Sequence, residues 1–89
     1  MSRQFEWDLY INLKENITEV LEEFLLEEQL YNRPRLVIKQ DRYGDYAIYV
    51  ADYSSTTNVD SEDVYNYISH GEVDYDAVDD LANQFVDLR

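Results

Sequence analysis

The chain of 89 residues has few of the residues that cross-link or bend small proteins: no cysteine, one proline, one histidine and two glycines. The absence of cysteine excludes disulfides, thiol nucleophiles and cysteine-based zinc or iron–sulfur sites. The longest apolar run, Tyr46 to Ala51, is far shorter than the roughly 20 residues of a membrane-spanning helix. The N-terminus shows no apolar stretch of the secretory type, and we therefore expect a cytoplasmic protein.

Basic residues are also scarce, since seven Lys or Arg stand against 20 Asp or Glu and the formal net charge is −13. This balance repels nucleic acids and anionic lipids, so we expect neither nucleic acid nor a membrane as a direct partner. Disorder is not expected, because 45% of the residues are hydrophobic and 15% aromatic, whereas disordered acidic chains are poor in both classes. The composition predicts one small folded domain over residues 1–89 with cationic partners.

The N-terminal third has the pattern of an amphipathic helix. Its apolar stripe consists of Leu9, Leu13, Ile17, Val20, Leu21, Phe24 and Leu25. The alternation of apolar residues from Phe5 to Leu13 instead favours a strand over residues 4–13. Asn16 with Glu19 resembles a capping box, so a helix is expected beyond this point in either case. We predict one long helix from about Asp8, with a strand followed by a shorter helix as the alternative.

The middle of the chain predicts an antiparallel β-hairpin. Residues 35–41 and 45–53 are rich in Val, Ile and Tyr, and Gly44 lies in the short connection between them. Alternation places four side chains on the face toward the helix, namely Leu36, Ile38, Ile48 and Val50. The opposite face is expected to carry Tyr49 and Tyr53.

Two short helices are predicted after the hairpin. Ser61 is expected to cap the first, with Glu62 and Asp63 in its first turn, and Gly71 to end it with His70 in its last turn. Asp74 or Asp76 opens the second. The expected fold class is α+β: a single small domain with an N-terminal amphipathic helix, an antiparallel hairpin, a third strand from the N-terminus if residues 4–13 are extended, and two short C-terminal helices.

The acidic charge is divided unevenly along the chain. Residues 1–32 carry −6, residues 33–53 carry +1 and residues 54–89 carry −8. Glu15, Glu19, Glu22 and Glu23 lie opposite the apolar stripe of the first helix, although like charges four residues apart destabilise a helix by a few tenths of a kcal/mol each. Several such rows, with steps of about 6 Å, approach the phosphate spacing of duplex DNA, about 3.4 Å on each strand.

In size, charge and tyrosine content the chain resembles the small acidic nucleic-acid mimics that phages and mobile elements use against restriction or CRISPR enzymes. The resemblance covers overall character. It implies an inhibitor that blocks the basic DNA- or RNA-binding surface of a partner protein, acting as a monomer or homodimer. The expected partner-binding residues are Glu15, Glu19, Glu22, Glu23, Tyr49, Tyr53, Asp60, Glu62, Asp63, Asp74, Asp76, Asp79 and Asp80.

Tyrosine carries an alternative hypothesis, because tyrosine is enriched at binding hot spots. Seven of the nine tyrosines lie between residues 43 and 75; we expect at least three of them to be exposed, and Tyr46 and Tyr67 to complete the core. The alternative function is an interaction adaptor that binds through its hairpin edge or tyrosine face. The bases that would protect an exposed edge are Arg33, Arg35, Lys39 and Arg42. A homodimer closing over the tyrosine face is a third interpretation.

No pattern predicts catalysis, a cofactor or a metal. The single histidine, His70, has no cysteine to complete a common zinc site. The acids from Asp74 to Asp80 depart from a calcium-binding loop, which has Gly at its sixth position and Glu at its twelfth, where this chain has Asp79 and Phe85. The two glycines stand apart, so no phosphate-binding loop is present. We expect no enzyme and no cofactor.

Overall fold

The fold is described from a computed structural model, in which residues 3–27, 34–52 and 61–87 are described. Helix α1 spans Arg3–Leu26 and is followed by strands β1 (Pro34–Gln40), β2 (Tyr46–Asp52) and β3 (Ser61–Asp63). A 3₁₀ turn (Val64–Tyr67) leads into the short strands β4 (Ile68–Ser69) and β5 (Glu72–Val73), and helix α2 (Tyr75–Asp87) ends the described chain. The α+β prediction is confirmed at this level.

The long N-terminal helix is confirmed, but it begins at Arg3 and not near Asp8. The strand over residues 4–13 is therefore wrong. Leu13, Ile17 and Leu21 are buried at intervals of four residues, and a strand running through Leu13 would take it out of line with Ile17. The free energy gained by burying that helical stripe is larger than the local preference for a strand. As a result, the side chain of Trp7 stays 60% exposed.

The predicted hairpin is confirmed as β1 and β2, which pair antiparallel with Ile38 opposite Ile48 and Leu36 opposite Val50. Its connection is held by Asp41, whose carboxylate accepts hydrogen bonds from the backbone N–H of Tyr43 (2.8 Å) and of Asp45 (3.0 Å). Gly44 has a φ of 89°, a conformation that glycine adopts without steric strain.

The third strand comes from Ser61–Asp63 and not from the N-terminus. It pairs antiparallel with β1, so the sheet order is β2-β1-β3. Consequently β1, which carries Arg35 and Lys39, is the central strand. The hypothesis that the bases protect a sheet edge is therefore wrong for Arg35, which β3 covers. Lys39 lies beyond the three residues of β1 that pair with β3, Arg42 lies in the hairpin connection, and Arg33 is outside the described residues.

The first of the two predicted C-terminal helices is replaced by the 3₁₀ turn and a minimal hairpin of β4 and β5. Ser61 lies in a strand, and Asp63 caps the 3₁₀ turn by accepting a hydrogen bond from the N–H of Tyr65 at 3.0 Å. His70 and Gly71 have φ values of 55° and 79°. Two consecutive positive φ angles are typical of a tight hairpin turn, so His70 is not in the last turn of a helix.

The core lies between the sheet and the two helices. Its buried side chains are Leu13, Ile17, Leu21, Phe24, Leu36, Ile38, Val64, Tyr67, Val73, Val78, Leu81 and Ala82. Ile48 and Val50 pack against this cluster, as predicted for the helix-facing side of the hairpin. Tyr67 is buried and Tyr46 packs edge-on against Phe85, with 6.4 Å between ring centres, so both complete the core as expected.

Within the described ranges, neither helix has the length and hydrophobicity that crossing a membrane requires.

Candidate protein-binding surfaces

The two helices lie side by side and run antiparallel. Midway along α1, Lys14 contacts Asp79 of α2. At the C-terminal end of α1, Leu25 and Leu26 line a groove together with Tyr75, the first residue of α2. Residues on the outer surfaces of both helices therefore share one side of the molecule, opposite the sheet.

The outer surface of this helix layer is acidic. Glu15, Glu19, Glu22 and Glu23 of α1 are all exposed, as their position opposite the apolar stripe predicted. On α2, Asp76 and Asp80 are exposed one turn apart. We call this set of six carboxylates (Glu15, Glu19, Glu22, Glu23, Asp76, Asp80) the acidic helix face.

Asp79 was expected among the partner-binding acids, but the structure places it between the helices. Its Oδ1 lies 3.3 Å from Nζ of Lys14, and the Tyr10 hydroxyl donates a hydrogen bond to the same oxygen. Tyr10 and Lys14 are one turn apart on α1, so both point toward α2. Asp79 thus joins the two helices. The sequence signal for this contact is Lys14, a base beside the apolar stripe of α1, where an acid of the neighbouring helix can pair with it.

We expect Asp79→Asn to lower the free energy of unfolding by about 0.5–1.5 kcal/mol, since it removes an ion pair and weakens a hydrogen bond to Tyr10. The lower part of this range is favoured, because Lys14 and Asp79 remain 34% and 35% exposed and water screens them. The matched control is Asp80→Asn, the exposed neighbour, for which a change below about 0.5 kcal/mol is expected. Urea unfolding measures both; equal effects would contradict the role of Asp79.

The remaining predicted acids have different surroundings: one is exposed, and two accept hydrogen bonds at the start of a 3₁₀ turn or a helix. Glu62 is exposed on β3, whereas Asp63 caps the 3₁₀ turn. Asp74 caps α2: its carboxylate accepts a hydrogen bond from the N–H of Ala77 at 3.2 Å, and its carbonyl accepts one from Val78 at 3.1 Å. Two further predicted residues, Tyr53 and Asp60, lie outside the described residues.

The sheet presents a different surface, which is aromatic and carries bases. The face turned away from the helices includes Arg35, Lys39 and Tyr49, since alternate residues of a strand share a face. Nζ of Lys39 lies 6.0 Å from the centre of the Tyr49 ring, and Arg35 lies opposite Asp63 in the register. The described bases of the sheet therefore lie on the face turned away from the helices, where Asp63 accompanies Arg35.

Tyrosine exposure follows the prediction. Four of the predicted tyrosines are exposed, which are Tyr43, Tyr49, Tyr65 and Tyr75. Tyr67 differs from them, because burial and secondarily the charge of Glu62 raise the pKa of Tyr67 to about 12. Its hydroxyl stays protonated at neutral pH and belongs to the core.

Two grooves that the sequence did not predict flank α1. One lies between α1 and β2 and is lined by Val20, Glu23, Phe24, Glu27, Ile48, Tyr49 and Val50. The other lies between the end of α1 and β5 and is lined by Glu22, Leu25, Leu26, Gly71, Glu72, Val73 and Tyr75. Both combine apolar walls with carboxylates, because the flanks of the apolar stripe of α1 meet its acids there.

Across the part of the chain that the structure describes, acidic residues and His70 do not cluster into a group able to hold a metal ion. No charged side chain is buried among those whose exposure the structure describes, in residues 7–27, 34–51 and 62–86. Comparison of the chain with models of protein families, with curated proteins and with solved structures gave no match. What the fold and its surfaces define is a small acidic α+β domain with carboxylates on its helix side and aromatic and basic groups on its sheet side.

Proposed function

We propose that this chain is a non-enzymatic inhibitor whose acidic helix face occupies the basic nucleic-acid-binding surface of another protein, such as a CRISPR or restriction nuclease. The observation that carries the proposal is the gathering of exposed carboxylates from two antiparallel helices on one side of the molecule. A binding role also suits a surface without a buried acid among the described residues, since acid–base catalysis by a carboxyl group uses an apolar pocket to raise its pKa.

The density of charge on this face suits a basic cleft. The four glutamates of α1 fall within nine residues, whose eight steps span about 12 Å of helix, or one charge per 3–4 Å. This spacing is close to the phosphate spacing along one DNA strand, about 3.4 Å. Asp76 and Asp80 extend the field onto α2, whose axis lies about 8–10 Å away in packed helices. A cationic cleft would attract this surface at long range.

Little of the negative charge on the acidic helix face is neutralised by nearby bases. Lys14 is the single base on α1 and α2 whose side chain the structure describes, and it is paired with Asp79. Neighbouring glutamates repel one another at steps of three and four residues, and this repulsion destabilises the helix by a few tenths of a kcal/mol per pair. Retaining such a row in place of alternating Glu and Lys is what a charge-mimicking surface requires.

The proposal is tested by titrating the protein into a panel of CRISPR and restriction nucleases while their DNA binding is followed. We expect binding that excludes DNA and whose affinity falls at least tenfold between about 50 and about 200 mM salt, because exposed charges are screened and bound ions are released. Binding that is indifferent to salt, or a complex that still accepts saturating DNA, would contradict the proposal.

A second candidate function is an interaction adaptor that uses the sheet side. It is favoured by the position of β2 at the edge of the sheet and by the exposed ring of Tyr49. In this case the acidic helix face serves solubility. The two functions predict different binding surfaces: the outward carboxylates of the two helices in one case, and the sheet with its β2 edge in the other.

A further inference from the structure

The backbone N–H and C=O groups of successive β2 residues point alternately toward β1 and away from it. Asp41 N–H donates to the carbonyl of Asp45 at 2.9 Å, which identifies this pair as hydrogen-bonded. Hydrogen-bonded and non-bonded pairs alternate in an antiparallel ladder, so the register directs the N–H and C=O groups of Ala47, Tyr49 and Ala51 toward β1. The groups of Tyr46, Ile48 and Val50 point away from β1, toward the second edge of β2.

This second edge is an open pairing site among the described residues, where β2 pairs with β1 alone. Natural sheets usually protect a long edge with charges, proline or a bulge. The edge strand here spans seven residues, Tyr46–Asp52, contains neither proline nor a basic residue, and pairs with β1 without a bulge. It has the length and regularity that strand addition requires.

The groove between α1 and β2 lies on the helix side of this same edge. Val20, Phe24, Ile48 and Val50 supply apolar walls, and Glu23 and Glu27 supply carboxylates. An added strand would direct every second side chain toward α1. Glu23 is exposed on α1 at this groove and supplies the carboxylate that a basic side chain of that strand would contact.

We propose that the second edge of β2 receives an extended basic segment of another protein as an added strand, with its apolar and Lys or Arg side chains alternating along the groove. The long aliphatic stems of Lys and Arg suit a groove with apolar walls and acidic ends. The inference rests on the second of the two candidate functions and names its partner; of the acidic helix face it uses Glu23 alone, which also lines the groove. A second copy of this chain is a poorer occupant, because each copy carries −13 and would bring its own Glu23 to the seam.

The probe is a blocked peptide of about nine residues in which one face reads Arg, Val, Arg, Val and the other face is threonine. Amide hydrogen exchange in the full chain reports where it binds. With the peptide at about 100 times its Kd, exchange at Ile48 and Val50 is expected to slow by at least tenfold. The amides of Ala47, Tyr49 and Ala51, which already face β1, act as internal controls and change little.

Two modified peptides test whether the contact is a main-chain ladder. One carries N-methyl groups on the amides of its Arg and Val residues and the other on those of its threonines. Only one of these two sets can face β2 in an added strand. One modified peptide is therefore expected to lose at least tenfold in affinity while the other stays within about threefold of the parent.

Substitutions on the protein side test the charge complementarity. Glu23→Gln is expected to weaken the peptide by about two- to fivefold, the range of a partly exposed ion pair. Glu15→Gln, on the same helix but outside the groove, is the matched control and should change affinity by less than about twofold.

Three other outcomes would overturn the inference. Binding without protection at Ile48 and Val50 would leave the adaptor function standing but would exclude strand addition. No binding of the peptide would exclude a basic strand as the occupant. Protection of both amides in the free protein, together with a dimeric mass in sedimentation, would assign the edge to a second copy.

Discussion

Changing Glu15, Glu19, Glu22 and Glu23 together to glutamine is expected to weaken binding to a basic partner by about 30- to 1000-fold. Each exposed charge is taken to contribute about 0.5–1 kcal/mol to such a contact, so four contribute about 2–4 kcal/mol. Most of the loss should appear in the association rate and should shrink at high salt, because the four charges act largely by long-range attraction.

The same change is expected to raise the free energy of unfolding by about 0.5–1 kcal/mol. Glu15 with Glu19 and Glu19 with Glu23 are repulsive pairs four residues apart, and each pair relieved contributes a few tenths of a kcal/mol. All four side chains are exposed on α1, so the core is not altered. A variant that is more stable but binds less well would separate the role of these carboxylates from folding.

The control for this variant neutralises two exposed acids outside the helix layer, by Asp45→Asn with Glu62→Gln. Its affinity for the partner should stay within about threefold of the parent if the acidic helix face makes the contact. Affinities come from titration calorimetry at two salt concentrations and stabilities from urea unfolding. Equal losses per charge in the two variants would mean that net charge, and not this face, attracts the partner.

Ile17→Ala is expected to lower the free energy of unfolding by about 3 kcal/mol. Ile17 is fully buried in the middle of α1, where it belongs to the core that joins the helices to the sheet. Its truncation removes apolar burial and leaves a cavity that the surrounding side chains fill only in part. A domain of this size has a total stability of about 5–13 kcal/mol, so the loss is a large fraction of the whole.

Urea unfolding of the Ile17→Ala variant should show a lower midpoint with an unchanged slope, as expected when the native state is destabilised without a change in exposed surface. The control is Glu19→Ala, two residues away on the exposed side of α1, which should not lower the stability and is expected to raise it by up to about 1 kcal/mol, because it relieves the repulsion with Glu15 and Glu23. A small loss for Ile17→Ala would contradict its place in the core.

The elements with strong local patterns could be predicted from the sequence. The apolar stripe of α1 repeats over several turns, the hairpin has alternating residues around Gly44, and α2 opens at the capping residue Asp74. In each case the signal lies within a few residues of the element, since helix periodicity, strand alternation and capping are local properties.

The elements that were missed depend on contacts distant in sequence. Ser61–Asp63 resembles a helix start, but its backbone pairs with Arg35–Val37 of β1, and this pairing decides its conformation. His70 and Gly71 resemble a helix end, yet both adopt positive φ in a hairpin turn. The start of α1 was placed too late, because alternation from Phe5 to Leu13 masks the helix until Leu13 is buried beside Ile17.

The exposed glutamates of α1 were predicted, because they follow from helix periodicity alone. The role of Asp79 was not, since an acid on α2 is indistinguishable from its neighbour Asp80 until Lys14 and Tyr10 lie beside it. The edge position of β2 was also hidden, because strand order depends on which strand takes β3 as its neighbour.

The sequence by itself determined that this is a small acidic α+β domain with a long amphipathic helix, a hairpin and a row of outward glutamates, because composition and periodicity carry that information locally. Only the tertiary structure decided which faces these groups share. Antiparallel packing of α1 and α2 places the acids of two distant segments on one surface and brings Asp79 into a partly exposed ion pair with Lys14 between the helices. Pairing of β3 with β1 leaves β2 at the edge, since a strand has two sides and the neighbour on each is chosen by long-range contacts.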